Sequence, residues 1–486
     1  MTPRNLTILA VTIVTSLICY EKSETNRFAT PLGEAIRKVE RYYIERVETR
    51  QLFEAAMTGI VNSLGDPYSE YIPPDRTQRF DEVLEGEFAG VGIVVDPNTK
   101  LKCLTVLSPM YGAPAHKAGM RAGDSILEIN GRSTAGMAIN DAVQLMRGKV
   151  GTQVVLKVMH HGETDTRELV LTRAIIRIDS VLGDVRREDG SWDFFLEENP
   201  RLQYLRINTF GEHTADELRA ALRSVNAAGS RADGIIIDIR NNAGGLLKSA
   251  IECCDMFLDS GVIVSTRGRD GIDGEEYLAR QGTVVGREIP MAVLVNEYSA
   301  SASEILAACL QDHGRAVVIG QRTWGKGTVQ NVIPMEGGRS RMRLTTASYW
   351  RPSGKNIHKT KTATENGEWG VSPSEQFEVP MPAEIATKVL RYRRYRDLFQ
   401  RTPAARDPAQ PDLKPPAQPA PPENQPAQGV EPLQDKPTPK PTPKPTSYEE
   451  ELDDTELSGT VERVDDPQLR RAIEYLQEKL HIPQAA

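Results

Sequence analysis

Residues 291–330 read MAVLVNEYSASASEILAACLQDHGRAVVIGQRTWGKGTVQ. The opening Met291–Val295 is short and wholly apolar, the pattern of a strand covered on both faces. It runs into Ser299-Ala300-Ser301-Ala302-Ser303, and a helical period over Ala302–Leu310 begins directly. A serine at a strand-to-helix turn exposes its Oγ and lies beside backbone N–H groups at a helix N-terminus, where negative charge is favoured. An acyl-transfer oxyanion requires that environment. A strand at Val317–Ile319 follows, and then Trp324-Gly-Lys-Gly-Thr328 sets Lys326 between two glycines in a tight turn. Burial disfavours an ammonium and can bring a lysine toward neutrality, where it serves as a base. Gln330, four residues on, can hydrogen-bond the amine. These residues also fit plainer readings: Ser-Ala runs cap helices, and glycine-flanked lysines occur in solvated loops. None of the seven histidines has a setting that marks it as the base, and His313 falls at the far end of the same helix.

Working outward, strand-like and helix-like runs alternate: Gln203–Ile207, Ala215–Val225, Gly234–Ile239, Leu246–Phe257, then the stretch above. Such alternation predicts an α/β core. Asn241-Asn-Ala-Gly-Gly245 follows the strand at 234–239 and fits a plain turn or an anion cradle. It lacks the GxxxxGK[ST] pattern of a P-loop.

Upstream, short strands with one helix (139–147) fill about 86–160, a compact β-rich module. Before it, Ile36, Val39, Tyr43, Val47, Leu52, Ala56, Ile60 and Leu64 carry a helical period that Gly65-Asp66-Pro67 ends. The N-terminus has Arg4 and an apolar run, Leu6–Tyr20, of signal-peptide length, short for a membrane span. No clear cleavage site follows, so a cleaved signal and an uncleaved anchor both stand. Ser16-Leu-Ile-Cys19 is a poor lipidation site. Downstream, residues 402–446 hold 15 of the 32 prolines and predict an extended, disordered linker. Pro467 then opens a last amphipathic helix, with Leu469, Ala472, Ile473, Leu476 and Leu480 on one face. A helix of that length needs a partner, in the same chain or a second copy.

The chain has 486 residues, 39% of them hydrophobic and 26% charged, with net charge −8. No basic stripe marks a nucleic-acid surface. The five cysteines form no disulfide framework and no Cys/His metal spacing, and read as free or buried thiols.

Three blocks together resemble the C-terminal processing peptidases, or tail-specific proteases, and occur in the family's order: Asp238-Ile-Arg-Asn-Asn-Ala-Gly-Gly245, Ser299-Ala-Ser-Ala-Ser-Glu-Ile305 and Gly325-Lys-Gly-Thr-Val-Gln330. The likeness extends over Leu64–Tyr71, the module at 86–160, Leu344–Gly354 and Asp466-Pro-Gln-Leu469. It implies a crotonase-type (ClpP/crotonase) α/β protease core with an inserted PDZ domain, a helical N-terminal arm and a C-terminal helix. The implied boundaries are a signal peptide or anchor 1–23, arm 24–82, PDZ domain 83–172, peptidase domain 173–400, linker 401–460 and helix 461–486.

By the same resemblance the nucleophile is Ser301, the base Lys326, and Gln330 orients the lysine. The oxyanion hole is drawn from the backbone N–H of Gly244 or Gly245 and that of Ala302. Asp312 is structural support. Gly90-Val91-Gly92-Ile93 is the carboxylate-binding loop of the PDZ domain, with Ala142, Val143 and Met146 lining its side-chain pocket. Arg147-Gly148 is a candidate PDZ-to-protease contact. No metal and no cofactor is implied. The implied partners are protein substrates with exposed C-termini, an adaptor protein, and a second copy of the chain in a homodimer or higher oligomer. The implied place is the periplasm or cell envelope, with membrane contact only through the N-terminal segment. Two rival readings are a PDZ scaffold with a dead protease core and an acyl-CoA enzyme of the crotonase fold. The intact Ser and Lys blocks speak against both.

Overall fold

The apolar runs become strands because both of their faces are covered. Asn199–Ile207, Gly234–Asp238, Met291–Val295 and Val317–Gly320 lie side by side in that order, all parallel. Ile235, Ile237, Val293 and Val295 face one way, into a cluster with Leu218, Ala250 and Ile305. These come from the helices Thr214–Ala227, Leu247–Asp255 and Ala302–Asp312. Ile236, Ala292 and Leu294 face the other way and meet Leu202, Tyr204, Leu469, Ala472 and Leu476. The last three belong to the helix Pro467–Leu480, so the terminal apolar stripe covers the second face of the sheet. Leu476 is fully buried there, and Leu476→Ala is expected to cost about 2–5 kcal/mol, read by chemical unfolding.

This computed structural model describes residues 5, 9–16, 28–98, 103–187, 189–227, 232–271, 274–360, 362–364, 367–398 and 463–480. Cys19, the whole of the expected linker at 401–460 and parts of the Leu6–Tyr20 run lie outside the described residues. Residues 9–16 are helical, and no described helix is long and apolar enough to cross a membrane. The chain divides into two units, Met1–Gln78 with Gln330–Thr346, and Arg79–Val329 with Ala347–Ala486.

In the first unit the single helical period over 32–64 is two helices, Ala29–Tyr42 and Thr49–Asn62. Tyr43 is already extended, at ψ 142. The apolar spacing lengthens to five residues between Val47 and Leu52, out of helical phase, beside the break. Glu70–Ile72 pairs with residues 341–343. Arg50 donates Nη2–H to Glu336 Oε2 at 3.0 Å, as does the Tyr71 hydroxyl. Hydrogen bonding to Arg50 holds the Glu336 carboxyl down at about 2.

In the second unit the β-rich module is an antiparallel sheet ordered Ile93–Asn98, Cys103–Pro109, Ser125–Ile129, Gln153–Met159, Thr166–Thr172. The sheet's last strand, Thr166–Thr172, lies beyond the bounds of about 86–160 expected for the module. A separate ribbon, Glu87–Gly90 with Ala174–Arg177, closes the module's two ends on each other.

Candidate active site

Ser301 sits at the N-cap of the helix Ala302–Asp312, with φ 57 and ψ −115. A left-handed φ on a non-glycine residue is strained and is held only by strong surroundings. Those surroundings centre on Glu304, which is fully buried. Its Oε2 accepts the backbone N–H of Ser301 and that of Lys326, each at 2.8 Å. Its Oε1 accepts the Thr323 hydroxyl at 2.6 Å and the Gly325 N–H at 2.7 Å. One carboxylate thus fixes the serine turn and the lysine loop together, with the two backbone nitrogens at most twice that 2.8 Å apart. Burial pushes the Glu304 carboxyl up to about 7, against the pull of its four donors.

The flanking serines have other employment. Ser299 is fully buried and donates to the Ile239 carbonyl at 2.8 Å. Ser303, equally buried, donates to the Asn242 carbonyl at 2.9 Å. Ser301 retains slight exposure, 5%, and burial pushes the Tyr349 hydroxyl above its ordinary value. Tyr349 is itself placed by its N–H, which donates to the Gly327 carbonyl at 2.8 Å.

The Asn241–Gly245 turn closes over the serine. Asn242 is buried; its Nδ2 donates to the Ile207 carbonyl at 2.6 Å and its Oδ1 accepts the Gly244 N–H at 2.8 Å. The Ala300 N–H donates to the Asn242 carbonyl at 3.0 Å. Gly244 has φ +102, and a Cβ there would lie 2.7 Å from the Ala300 carbonyl oxygen and 2.8 Å from Ser301 Cβ. Only glycine allows so close an approach. The Gly244 N–H is thus already engaged by Asn242. Ala302 is the first residue of its helix, where an N–H has no intrahelical acceptor. Gly244→Ala is expected to lower kcat by about 10²-fold, on the scale of losing one oxyanion donor, with KM nearly unchanged in steady-state peptide cleavage.

Lys326 is half-buried. The Gly325 carbonyl accepts the Lys359 N–H at 2.8 Å, and a Cβ on Gly327 would stand 2.3 Å from the His358 nitrogen. The tight packing on both sides accounts for the glycines around the lysine. Gln330 lies on the strand Thr328–Met335 and donates its amide to Thr345 Oγ1 at 3.2 Å. Asp312 is bound by Arg351, Nε to Oδ2 3.0 Å, and by the Ser353 N–H at 3.0 Å. Burial would raise its carboxyl, but Arg351 and Ser353 hold it below the usual range. His313 is turned to the Val262 carbonyl, 2.7 Å from Nε2. Cys253, Cys254 and Cys309, in the two helices beside the site, are buried free thiols, and burial pushes Cys253 up to about 12.

In the β-rich module Gly90 ends one strand and Ile93 begins the next. Between them Val91 is buried and Gly92 has φ +71. Ala142 and Met146 point into the module's core with Val91, while Val143 stays half-exposed. Arg147 reaches Glu82, Nη1 to Oε2 2.6 Å, and stacks over the Phe88 ring at 4.6 Å. The Gly148 N–H meets the Ala89 carbonyl at 3.4 Å.

Glu304, Asn242 and Tyr349 were not singled out from the sequence. The signal for Glu304 was present: Ser301-x-x-Glu304 is a capping-box spacing. The carboxylate closes that box on the Ser301 N–H and then extends to the lysine loop.

Residues 201–373 match peptidase family S41, residues 105–159 a PDZ domain, and residues 20–76 the N-terminal domain of the activating protease CtpB. The chain is 35% identical over 380 residues to a carboxy-terminal-processing protease of Bartonella bacilliformis, covering 78% of this chain and 80% of that one. It is 33% identical over 355 residues to the carboxy-terminal processing protease CtpA of Bacillus subtilis, covering 73% and 70%. A solved photosystem II D1 C-terminal processing protease is 29% identical, with TM-score 0.41, covering 75% of this chain and 96% of that one.

Proposed function

This chain belongs to the carboxy-terminal processing proteases, serine peptidases of family S41 that carry a PDZ domain, and from that premise we propose that it cuts protein substrates with a Ser301–Lys326 pair. The observation that carries the reading is the shared Glu304 carboxylate, which ties the backbone of Ser301 to that of Lys326. The parallel strands with helices on both faces support a crotonase-type core.

In this mechanism neutral Lys326 takes the Ser301 proton as Oγ attacks a peptide carbonyl. The Gly245 and Ala302 N–H groups receive the oxyanion. The protonated amine of Lys326 then gives its proton to the leaving nitrogen, and the amine product departs. Water, deprotonated by the same lysine, attacks the ester, and the acid product leaves as Ser301 recovers its proton.

The PDZ module selects substrates by their C-terminal tails, the peptide adding as a strand beside Gly90–Ile93 with its carboxylate on the loop N–H groups. The protein acts in the periplasm or cell envelope after export, and a second copy or an adaptor joins it there. The test is cleavage of an unfolded protein bearing an apolar C-terminal tail, beside Ser301→Ala. Cutting by the parent alone supports the reading. Cutting by the serine variant would refute it, and a tail swap that leaves the rate unchanged would remove the PDZ step.

A further inference from the structure

The start of the C-terminal helix stands at the carboxyl ends of the strands that lead into the active site. Arg240 follows the strand Gly234–Asp238 and directly precedes the Asn241–Gly245 turn. It is buried to all but 7% of its side chain, and every N–H it carries is used. Nε donates to Asp238 at 3.0 Å, and one Nη2–H donates to Asp238 Oδ2 at 2.6 Å. The other three go to the helix that begins at Pro467. Nη1 donates to Asp466 Oδ1 at 3.0 Å and to Gln468 Oε1 at 3.1 Å, and Nη2 to Asp466 Oδ2 at 2.9 Å. Burial opposes the charge on Arg240, but Asp238 and Asp466 outweigh it and hold the guanidinium well above its ordinary value.

The partners are fixed in turn. Asp466 accepts the Leu469 N–H at 3.0 Å and so caps its own helix. Asp238 also accepts the Tyr204 hydroxyl at 2.6 Å. Gln468 is buried and reaches past the end of a second strand, its Nε2 donating to the Val379 carbonyl at 2.9 Å and to Gln321 Oε1 at 3.4 Å. Gln321 leaves the strand Val317–Gly320 toward Thr323 and Lys326. The same few residues of the helix therefore grip both the approach to the oxyanion turn and the approach to the lysine loop.

We propose that Asp466 and Gln468 are positioning residues for catalysis, holding the oxyanion turn in place through Arg240 and steadying the approach to Lys326 through Gln321. Without them Arg240 has three buried N–H groups unpaired, and a buried charge in that state moves or draws in water. Arg240 is one peptide bond from Asn241, whose N–H donates to Asn296 Oδ1 at 2.9 Å, and two from Asn242, which holds Gly244. Displacement of Arg240 is thus passed to the N–H groups over Ser301. The inference rests on the Ser301–Lys326 reading.

The test compares the purified full chain with Asp466→Asn, Gln468→Ala and Ser301→Ala on one tailed protein substrate. Rates are normalised to folded protein counted from the unfolding amplitude. Asparagine caps a helix as well as aspartate does, so Asp466→Asn removes the charge and leaves the cap. The expected result is a fall in kcat of about tenfold or more, with KM and tail-peptide affinity within about twofold, since the oxyanion N–H groups act chiefly on the transition state. Gln468→Ala shifts kcat in the same direction by less, and decides the matter should Asp466→Asn not fold. A kcat per folded molecule equal to the parent's in both variants would overturn the proposal. Cleavage by Ser301→Ala would instead overturn the peptidase assignment on which it rests, and the proposal with it.

Discussion

Ser301→Ala is expected to lower kcat/KM for a tailed protein substrate by about 10⁴-fold or more, Lys326→Ala to do nearly the same, and the double variant to be no worse than either. The nucleophile and its base act as one unit: without the lysine the hydroxyl keeps its proton, and without the hydroxyl the lysine has no proton to take. The strained φ of 57 at Ser301, and the engagement of the fully buried Ser299 and Ser303 with backbone carbonyls, are what favour the middle serine in this proposal. Ser299→Ala and Ser303→Ala are therefore expected to act through stability, leaving kcat per folded molecule within a few-fold. Thermal unfolding beside the activity assay separates the two effects.

The second large effect belongs to Glu304. Glu304→Ala removes the acceptor of four buried donors at once, the N–H groups of Ser301, Gly325 and Lys326 and the Thr323 hydroxyl. Each buried donor left unpaired costs about 1–3 kcal/mol, so the variant is expected to lose most of its stability as well as its activity. Glu304→Gln keeps the shape but turns one oxygen into a donor, and a drop in kcat of about 10²-fold or more is expected on the scale of a misplaced catalytic group. The carboxyl also sets a pH dependence. With its pKa up at about 7, the carboxylate that accepts all four bonds forms as pH rises through 7, and activity rises with it. Stability moves the other way. Between the ordinary carboxyl value near ~4.3 and about 7, the folded chain holds a proton that the unfolded chain has released. Folding stability therefore falls as pH climbs through that window and levels off above it. A pH–activity profile with this acid limb in the parent and without it in Glu304→Gln is the expected signature.

Residues whose roles depend on local pattern were legible in the sequence. Met291–Val295 declared a strand with two covered faces, and Ser299–Ser303 before a helical period declared the turn. What escaped depends on contacts that cross the chain. Arg240 and Asp466 are 226 positions apart, and nothing in the spacing of either points to the other. Glu304 went unmarked, because a capping box and a carboxylate that also binds a second loop look identical in sequence. Residues 330–346 read as the continuation of the peptidase but fall with the N-terminal helices in the first unit. Strand pairing of 341–343 with 70–72 joins them there, and no periodicity encodes such pairing. Ala142 and Met146 pack into the module's core, and an apolar helix face serves a core and a pocket equally well. Burial alone separates them, and it leaves Val143 half-exposed.

The central claim is that catalysis passes through an ester on Ser301, and peptide mapping of the protein quenched during turnover of an activated peptide ester tests it most directly. The account predicts an acyl mass on the peptide containing Ser301, built up in the parent and missing in both Ser301→Ala and Lys326→Ala. An acyl group on another residue, or turnover that persists in Ser301→Ala, would contradict it.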